Sequence, residues 1–130
     1  MVKLARQPSE HEEQVALFRW WRLQYPRQEL LLFAIPNGGA REPITGSRLK
    51  DEGVRAGVPD MLLAMPSGRH AGLFLELKRQ RGGKVSPAQI AMINALARAG
   101  YAVAVCRGFD EARRTITAYL AGEAIPCGQK

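Results

Sequence analysis

Three ionisable side chains interrupt the most apolar part of the sequence. Asp60 stands at the start of one apolar run, and Glu76 and Lys78 stand at the end of the next one. An unpaired charge in a protein interior is costly, so a chain normally avoids burying one. These three residues are therefore the first candidates for a site that carries out chemistry.

The strand pattern around these residues predicts how they meet. Two apolar strands, 61–65 and 73–78, are joined by a short loop, and so short a loop favours an antiparallel hairpin. Because side chains alternate along a strand, Glu76 and Lys78 project from the same face. The hairpin can bring Asp60 beside Glu76, so that two carboxylates converge on one spot.

Two converging carboxylates are unfavourable unless a cation neutralises them. Mg²⁺ is commonly held by one or two carboxylates together with water and substrate phosphate. Lys78 beside such an ion could polarise an attacking water or stabilise charge on the phosphate. The alternative is a Glu76–Lys78 salt bridge on an exposed sheet face, which contributes little stability. Asp60 shifts the balance toward a site for phosphodiester hydrolysis.

The overall charge indicates the class of partner. The net charge is +7, and a basic surface on a small domain usually indicates a polyanion, most commonly nucleic acid. Charge alone separates neither DNA from RNA nor binding from catalysis. The sequence has no apolar run of about 18 residues and no secretory signal, so we expect a cytosolic protein that does not bind membranes.

The elements that position these residues follow from caps and apolar periodicity. With 130 residues the chain 1–130 predicts a single domain, with its core at about 9–120 and a frayed C-terminal tail. Ser9 and Ser86 are predicted helix N-caps. The element order predicts an α/β fold with a mixed central sheet flanked by helices. The predicted helices are 9–25, a short one near 47–52, 86–99 and 109–120, and the predicted strands are 30–35, 61–65, 73–78 and 101–106.

Several motifs together resemble one family. The GVPD motif (57–60) followed by ELK (76–78) is similar to the signature of the PD-(D/E)XK nuclease superfamily, a Pro-Asp and a Glu-x-Lys on adjacent strands. SEHEEQ in the first helix, IPNGGAR before the first acidic strand and SPAQ after ELK resemble the VRR-NUC branch in particular. The resemblance extends over roughly 9–120 and is strongest to the small stand-alone versions found in phages and prophages.

The resemblance implies a fold, an activity and partners. The fold is a restriction-endonuclease-like αβββαβ core, and the activity is Mg²⁺- or Mn²⁺-dependent DNA cleavage. The implied substrate is structured DNA such as four-way (Holliday) junctions or flaps, cut by a homodimer in a bacterial or phage-infected cell. Two alternatives stay open, a catalytically silent DNA-binding module and a nuclease directed at RNA.

The resemblance also implies roles for residues of the hairpin. Asp60 and Glu76 match the metal-binding carboxylates, and the carbonyl of Leu77 matches a further ligand. Lys78 matches the catalytic lysine. These roles are carried over from the family motif, residue by residue, onto this chain.

The family also uses a glutamate from its first helix. Glu10 is the best match, because one helical turn puts it on the same face as Gln14, and Glu13 is the alternative. Either acid could instead only complement the helix dipole. Gln89 could orient a water or phosphate at the site, or it could only close a capping box with Ser86.

A DNA-binding surface is expected around this site. Basic residues follow the ELK motif directly, and a glycine-containing turn precedes the first acidic strand. Glycines in such a turn permit close approach of the backbone to a ligand, and nearby cations suit sequence-independent, salt-dependent phosphate binding. The candidates are Asn37, Gly38, Gly39, Arg41, Arg79, Arg81 and Lys84.

Overall fold

The computed structural model describes residues 6–36 and 43–126, the first four of the second range by their backbone only. The helices are α1 (Glu10–Gln24), α2 (Pro43–Asp51), α3 (Pro87–Arg98) and α4 (Phe109–Leu120), with a 3₁₀ segment at Pro26–Leu31. The strands are β1 (Leu32–Ala34), β2 (Met61–Leu63), β3 (Leu73–Lys78) and β4 (Ala102–Arg107). The strands form one mixed sheet in the order β1-β2-β3-β4, as predicted for an α/β fold flanked by helices.

The pairing of β2 with β3 confirms the predicted hairpin. The two strands are antiparallel, with Met61 opposite Leu75 and Leu63 opposite Leu73. β3 then pairs in parallel with β4 after the crossover through α3. The end of β3 that carries Glu76 and Lys78 therefore lies beside the end of β4 and close to the start of α4.

Both predicted serine caps are present. Ser9 accepts from the backbone N–H of Glu12 at 3.1 Å and closes a capping box with it. Ser86 forms the same arrangement with Gln89, and Pro87 occupies the first helical position. Since a cap determines where a helix begins, these local signals place the starts of α1 and α3 correctly.

The prediction for 30–35 is wrong in part. The chain after Pro26 forms a 3₁₀ segment to Leu31, and only three residues of the apolar run become β1. Trp21 holds the segment, because its indole N–H donates to the carbonyl of Gln28 at 3.1 Å. Leu30 is 85% exposed, so an apolar run did not mean a buried strand here.

Other element boundaries also move. α2 begins at Pro43 and ends at Asp51, so it is longer than the short helix predicted near 47–52. β2 ends at Leu63 rather than at Met65. No helix in the described ranges is long and apolar enough to cross a membrane.

The main core lies between the sheet and the pair α1 and α4. Leu73, Leu75 and Leu77 are buried on one face of β3, as the alternation predicts. α1 contributes Leu17 and Trp21 to the same cluster. Glu76 and Lys78 belong to the other face of β3, and α3 supplies their neighbour there. The sheet thus separates its apolar core from the polar end of the hairpin.

Candidate active site

The hairpin register places Asp60 beside Glu76. Because Met61 pairs with Leu75 in antiparallel strands, Asp60, which precedes Met61, lies opposite Glu76, which follows Leu75. Asp60 Oδ2 accepts the backbone N–H of Leu77 at 2.7 Å, which holds the carboxylate at the end of β3. The backbone carbonyl of Asp60 accepts the N–H of Ile35 at 2.7 Å. The carboxylate is therefore held in place by the neighbouring strands.

Gly57 brings the GVPD turn against the start of α3. Its φ of +85° is a conformation that favours glycine. A Cβ at this position would overlap the backbone carbonyl of Ala88 and lie 2.8 Å from the backbone nitrogen of Gln89. This close backbone contact keeps the turn that carries Asp60 next to the helix that carries Gln89.

Glu76, Lys78 and Gln89 form one connected network. Lys78 Nζ lies 3.2 Å from Glu76 Oε2, and Gln89 Nε2 donates to the same oxygen at 2.7 Å. Lys78 Nζ also donates to Gln89 Oε1 at 3.3 Å. The Glu76 and Lys78 side chains are only 6% and 11% exposed, so the alternative of an exposed surface salt bridge does not hold.

Gln89 closes the predicted capping box and also contacts Glu76, while its role toward a water or phosphate stays a prediction. Its Oε1 accepts the backbone N–H of Ser86 at 2.8 Å, which is the capping-box contact. Its Nε2 donates to Glu76 at the same time. The helix cap therefore determines the position of the amide group that contacts Glu76.

The other oxygen of Glu76 points to a cation. Glu76 Oε1 is buried and accepts no hydrogen bond from any part of the chain that the structure describes. A buried carboxylate oxygen without a partner costs free energy, and a hard cation supplies the missing contact. Within the described ranges no three His, Cys, Asp or Glu side chains form a metal cluster. The two neighbouring carboxylates of Asp60 and Glu76 nevertheless offer the oxygen ligands with which Mg²⁺ is commonly held, together with water and phosphate.

Burial and repulsion act together on the two carboxylates. Burial raises the pKa of Asp60 above its ordinary value, the Leu77 N–H opposes the shift, and the charge of Glu10 adds to it. Burial also raises the pKa of Glu76, and the charge of Asp60 raises it further. Lys78 and Gln89 oppose the shift at Glu76 without cancelling it. A cation between the carboxylates would relieve this strain.

The structure separates the two candidate glutamates of α1. Glu10 is exposed and lines a cleft together with Asp60 and Leu77. Glu13 is only 5% exposed and lies elsewhere: Oε2 accepts the backbone N–H of Phe109 at 2.5 Å, and Oε1 accepts the side-chain amide of Gln80 at 3.1 Å. Glu10 thus faces the carboxylate pair, whereas Glu13 caps the start of α4.

The basic turn after ELK (79–84) is held by backbone contacts. Arg107 donates to the carbonyls of Gly82 at 2.5 Å and Gly83 at 3.2 Å. The backbone N–H of Arg81 donates to Gln7 Oε1 at 2.7 Å. These contacts leave the side chains of Arg79, Arg81 and Lys84 exposed next to the candidate site. The other DNA-binding candidates, Asn37, Gly38, Gly39 and Arg41, lie outside the described residues.

Sequence reasoning missed the residues that brace the site. Gly108 has a φ of +88°, and a Cβ there would overlap the carboxylate of Glu13. One signal was available: Glu13, Leu17 and Trp21 are spaced four apart, so Glu13 belongs to the stripe of α1 that faces the core. For Gln80 and Arg107 the sequence carries no comparable signal.

Comparison with known proteins identifies a family and a similar fold. The model of the VRR-NUC domain family matches residues 8–110. A solved structure described as "VRR_NUC domain protein" is 25% identical to this chain with a TM-score of 0.79, and the match covers 91% of this chain and 97% of that one. No curated protein matches the chain significantly.

The fold and the match define an α/β protein of the nuclease-domain class, with the mixed four-stranded sheet of a VRR_NUC structure. The chain belongs to the VRR-NUC domain family. Proteins of this family are generally nucleases and typically depend on a metal. The assignment of all 130 residues to a single domain stays a prediction.

Proposed function

We propose that this protein is a divalent-metal-dependent DNA endonuclease. The observation that carries the proposal is the unpartnered, buried Glu76 Oε1, in a carboxylate whose other oxygen is held by Lys78 and Gln89. Membership of the VRR-NUC domain family supports it. A structural ion pair alone has no reason to keep one buried carboxylate oxygen without a partner.

The proposed metal ligands are Asp60, Glu76 and the Leu77 carbonyl, with Mg²⁺ or Mn²⁺ as the ion. Glu10 lines the same cleft as Asp60, and we propose it as a further ligand that closes on the ion when it binds, since no three such side chains of the described residues are already clustered. The bound ion supplies activation of a water molecule and neutralisation of charge on the phosphate. The Leu77 N–H and the Gln89 amide orient the two carboxylates. They do so before substrate arrives, so little reorganisation is needed during reaction.

Lys78 is the proposed catalytic cation of the site. Its ammonium group is almost fully buried beside Glu76, where a charge acts more strongly than in water. In this position it stabilises the negative charge that develops on the phosphate as the water attacks. Gln89 orients both Lys78 and Glu76, so we assign it a positioning role.

The proposed substrate is structured DNA, such as four-way junctions or flaps, and the proposed assembly is a homodimer in the cytoplasm of a bacterial or phage-infected cell. The exposed Arg79, Arg81 and Lys84 support a polyanionic partner, because they belong to the turn that directly follows Lys78. A net charge of +7 supports the same class of partner. The basic turn binds phosphates on the strand that enters the site.

The test is cleavage of labelled junction, flap, duplex and single-stranded DNA in Mg²⁺ or Mn²⁺, with matched RNA strands. We expect Lys78→Gln to lower the cleavage rate at least about 100-fold, because it removes the charge that stabilises the transition state. Lys50→Gln is the matched control, because Lys50 is exposed on α2 and its replacement removes the same charge.

Three outcomes decide between the candidate functions. Equal cleavage by wild type, Lys78→Gln and Glu76→Gln would overturn the mechanism. DNA binding that persists in EDTA, with no cleavage in either metal, would indicate a silent binding module. Faster cleavage of RNA than of the matched DNA would redirect the proposal to RNA. Circular dichroism of each variant establishes that a loss of cleavage is not a loss of folding.

A further inference from the structure

A cleft along α1 includes part of the candidate metal site. Its volume is about 900 Å³, and it is lined at one end by Glu10, Asp60 and Leu77. Further along α1 it is lined by Phe18 and Arg22. We call this groove the α1 cleft. Because one end of the cleft is formed by three of the proposed metal ligands, a DNA strand held at the metal site would have the rest of the cleft beside it.

Residues spaced four apart along α1 line the cleft in a definite chemical order. Glu10, Gln14, Phe18 and Arg22 lie on neighbouring turns, so their side chains form one track about 18 Å long. The track runs from a carboxylate through an amide and an aromatic ring to a guanidinium. Val15 adds apolar surface to the same cleft and is 40% exposed.

This order fits one nucleotide beside the cut better than it fits duplex DNA. A paired duplex presents phosphates and groove edges, and the faces of its bases are hidden by stacking. An aromatic and aliphatic wall next to a phosphate-cleaving site suits a base that has left the stack. The volume lies within the range of pockets that enclose a small organic ligand, so a nucleotide fits.

Arg22 is available for the next phosphate. Its ion pair with Glu29 has a separation of 4.0 Å, and both side chains are about half exposed. Such a pair contributes little free energy, so a phosphate oxygen can replace the carboxylate at small cost. A guanidinium also matches phosphate geometry better than an ammonium group does.

From these observations we propose that the α1 cleft binds the unstacked nucleotide that adjoins the scissile phosphate, with Phe18 against its base and Arg22 on the neighbouring phosphate. This inference rests on the proposed nuclease function and adds a substrate requirement to it. The nucleotide beside the cut has to be unpaired or easily unpaired. Phe18 is then the residue that determines this specificity.

The test combines a protein change with a DNA change at the same contact. Phe18→Leu removes the aromatic ring and keeps apolar volume, and Leu23→Ala on the same helix is the control because Leu23 is 80% exposed. The DNA change is an abasic nucleotide, placed in turn on each side of the mapped cut. Cleavage kinetics are measured in Mg²⁺, and affinities are measured by fluorescence anisotropy in Ca²⁺.

We expect Phe18→Leu to lower kcat/KM and affinity by about 5- to 150-fold on DNA with an unpaired nucleotide at the cut. The abasic nucleotide lowers both quantities for wild type by a similar factor, and it adds nothing further for Phe18→Leu. The effect falls on KM, with kcat changed little. Arg22→Gln lowers the slope of log affinity against log salt by about 1 and acts equally on intact and abasic DNA.

The outcomes separate this inference from the proposed function. If wild type cleaves DNA and Phe18→Leu matches it in both assays, the inference is wrong and the nuclease function stands. If Phe18→Leu and the abasic nucleotide lower kcat/KM and affinity independently, so that their effects multiply, Phe18 does not contact that base and the inference is also wrong. If nothing is cleaved, the proposed function fails, and this inference fails with it because no cut then defines the adjoining nucleotide.

Discussion

At the scale of single residues, the site is a set of charges held closer together than they would be in water. Asp60 and Glu76 are partly or largely buried and repel each other, so the pKa of each is raised. Lys78 compensates one of them, and Glu10 adds another negative charge near the other. Without a cation this arrangement lowers the stability of the fold, and the loss of stability can be measured.

Asp60→Asn is expected to make the metal-free protein more stable. A raised pKa means that the folded state holds this proton more tightly than the unfolded state, so stability falls as the pH rises through the folded pKa. At a pH above the folded pKa the ionised carboxylate therefore destabilises the fold, and asparagine removes this cost while still accepting the Leu77 N–H. We expect a rise in Tm of roughly 1–3 °C in EDTA, measured by calorimetry.

The same pair of proteins tests metal binding. Mg²⁺ at 100 times its Kd stabilises a protein by about 2.7 kcal/mol. We expect wild type to gain Tm on titration with Mg²⁺ and Asp60→Asn to gain little, so that the order of stability reverses. An equal gain in both proteins would mean that Asp60 is not a ligand.

Glu10→Gln and Glu13→Gln should have opposite phenotypes. Glu13 accepts hydrogen bonds from Phe109 N–H and Gln80 in a buried position, so we expect its loss to cost about 1–3 kcal/mol in the free energy of unfolding. Glu10 is exposed in the cleft, and we expect Glu10→Gln to fold normally and to need more Mg²⁺ for half-maximal cleavage. Urea unfolding and a metal titration of cleavage measure the two effects. If folded Glu13→Gln also needed more Mg²⁺ for half-maximal cleavage, the assignment of Glu10 as the ligand would be contradicted.

At the scale of elements, the position of α3 relative to the GVPD turn decides whether the network can form. Gln89 lies in the first turn of α3, and the turn touches the helix where Gly57 passes the backbone of Ala88. The N-cap at Ser86 then sets the orientation of the Gln89 side chain. A local helix cap and a close backbone contact together place a functional amide.

Gly57→Ala and Gly53→Ala form a matched pair. Both glycines have positive φ, +85° and +97°, but a Cβ at Gly53 meets nothing within 4 Å. We expect Gly53→Ala to cost about 1 kcal/mol from backbone strain alone. Gly57→Ala also overlaps the backbone of α3, so we expect about 3 kcal/mol or more, together with reduced cleavage. Urea midpoints measure both, and equal costs would show that the turn does not need the close contact.

At the scale of the whole molecule, basic residues lie beyond both ends of β3. The basic turn leaves β3 directly after Lys78 and is fixed by Arg107 from β4. The hairpin loop that carries Arg69 lies at the opposite end of β3. If the proposed function is correct, we expect DNA at the carboxylates to contact the basic turn and not the loop at Arg69.

Salt dependence distinguishes these two regions. Each phosphate contact adds about 0.9 to the slope of log affinity against log salt for duplex DNA. We expect Arg81→Gln to lower the slope by about 1 and Arg69→Gln to leave it unchanged, with affinities measured by anisotropy between low and moderate salt. Equal slopes for both variants would place the DNA elsewhere on the surface.

Much of the fold follows from local signals in the sequence. The caps at Ser9 and Ser86 specify helix starts within one turn, and the alternation in β3 specifies which face is apolar. The hairpin follows from a short loop between two apolar strands, and it determines that Asp60 meets Glu76. These features depend on residues close in sequence, so the sequence by itself determines them.

Tertiary structure decided the rest, because it depends on contacts between distant parts of the chain. Because α1 packs against α4, Glu13 accepts a hydrogen bond from the backbone N–H of Phe109, and Glu10 lies in the same cleft as Asp60. The spacing along α1 determines which residues share a helix face with each glutamate. It does not determine which part of the protein that face packs against. The apolar run at 30–35 likewise predicts one strand from its sequence. In the fold only Leu32–Ala34 is a strand, and the preceding 3₁₀ segment is held by the hydrogen bond from the Trp21 indole to the carbonyl of Gln28. The residue types of the site are thus readable from the sequence, and only the fold determines which of them face one another.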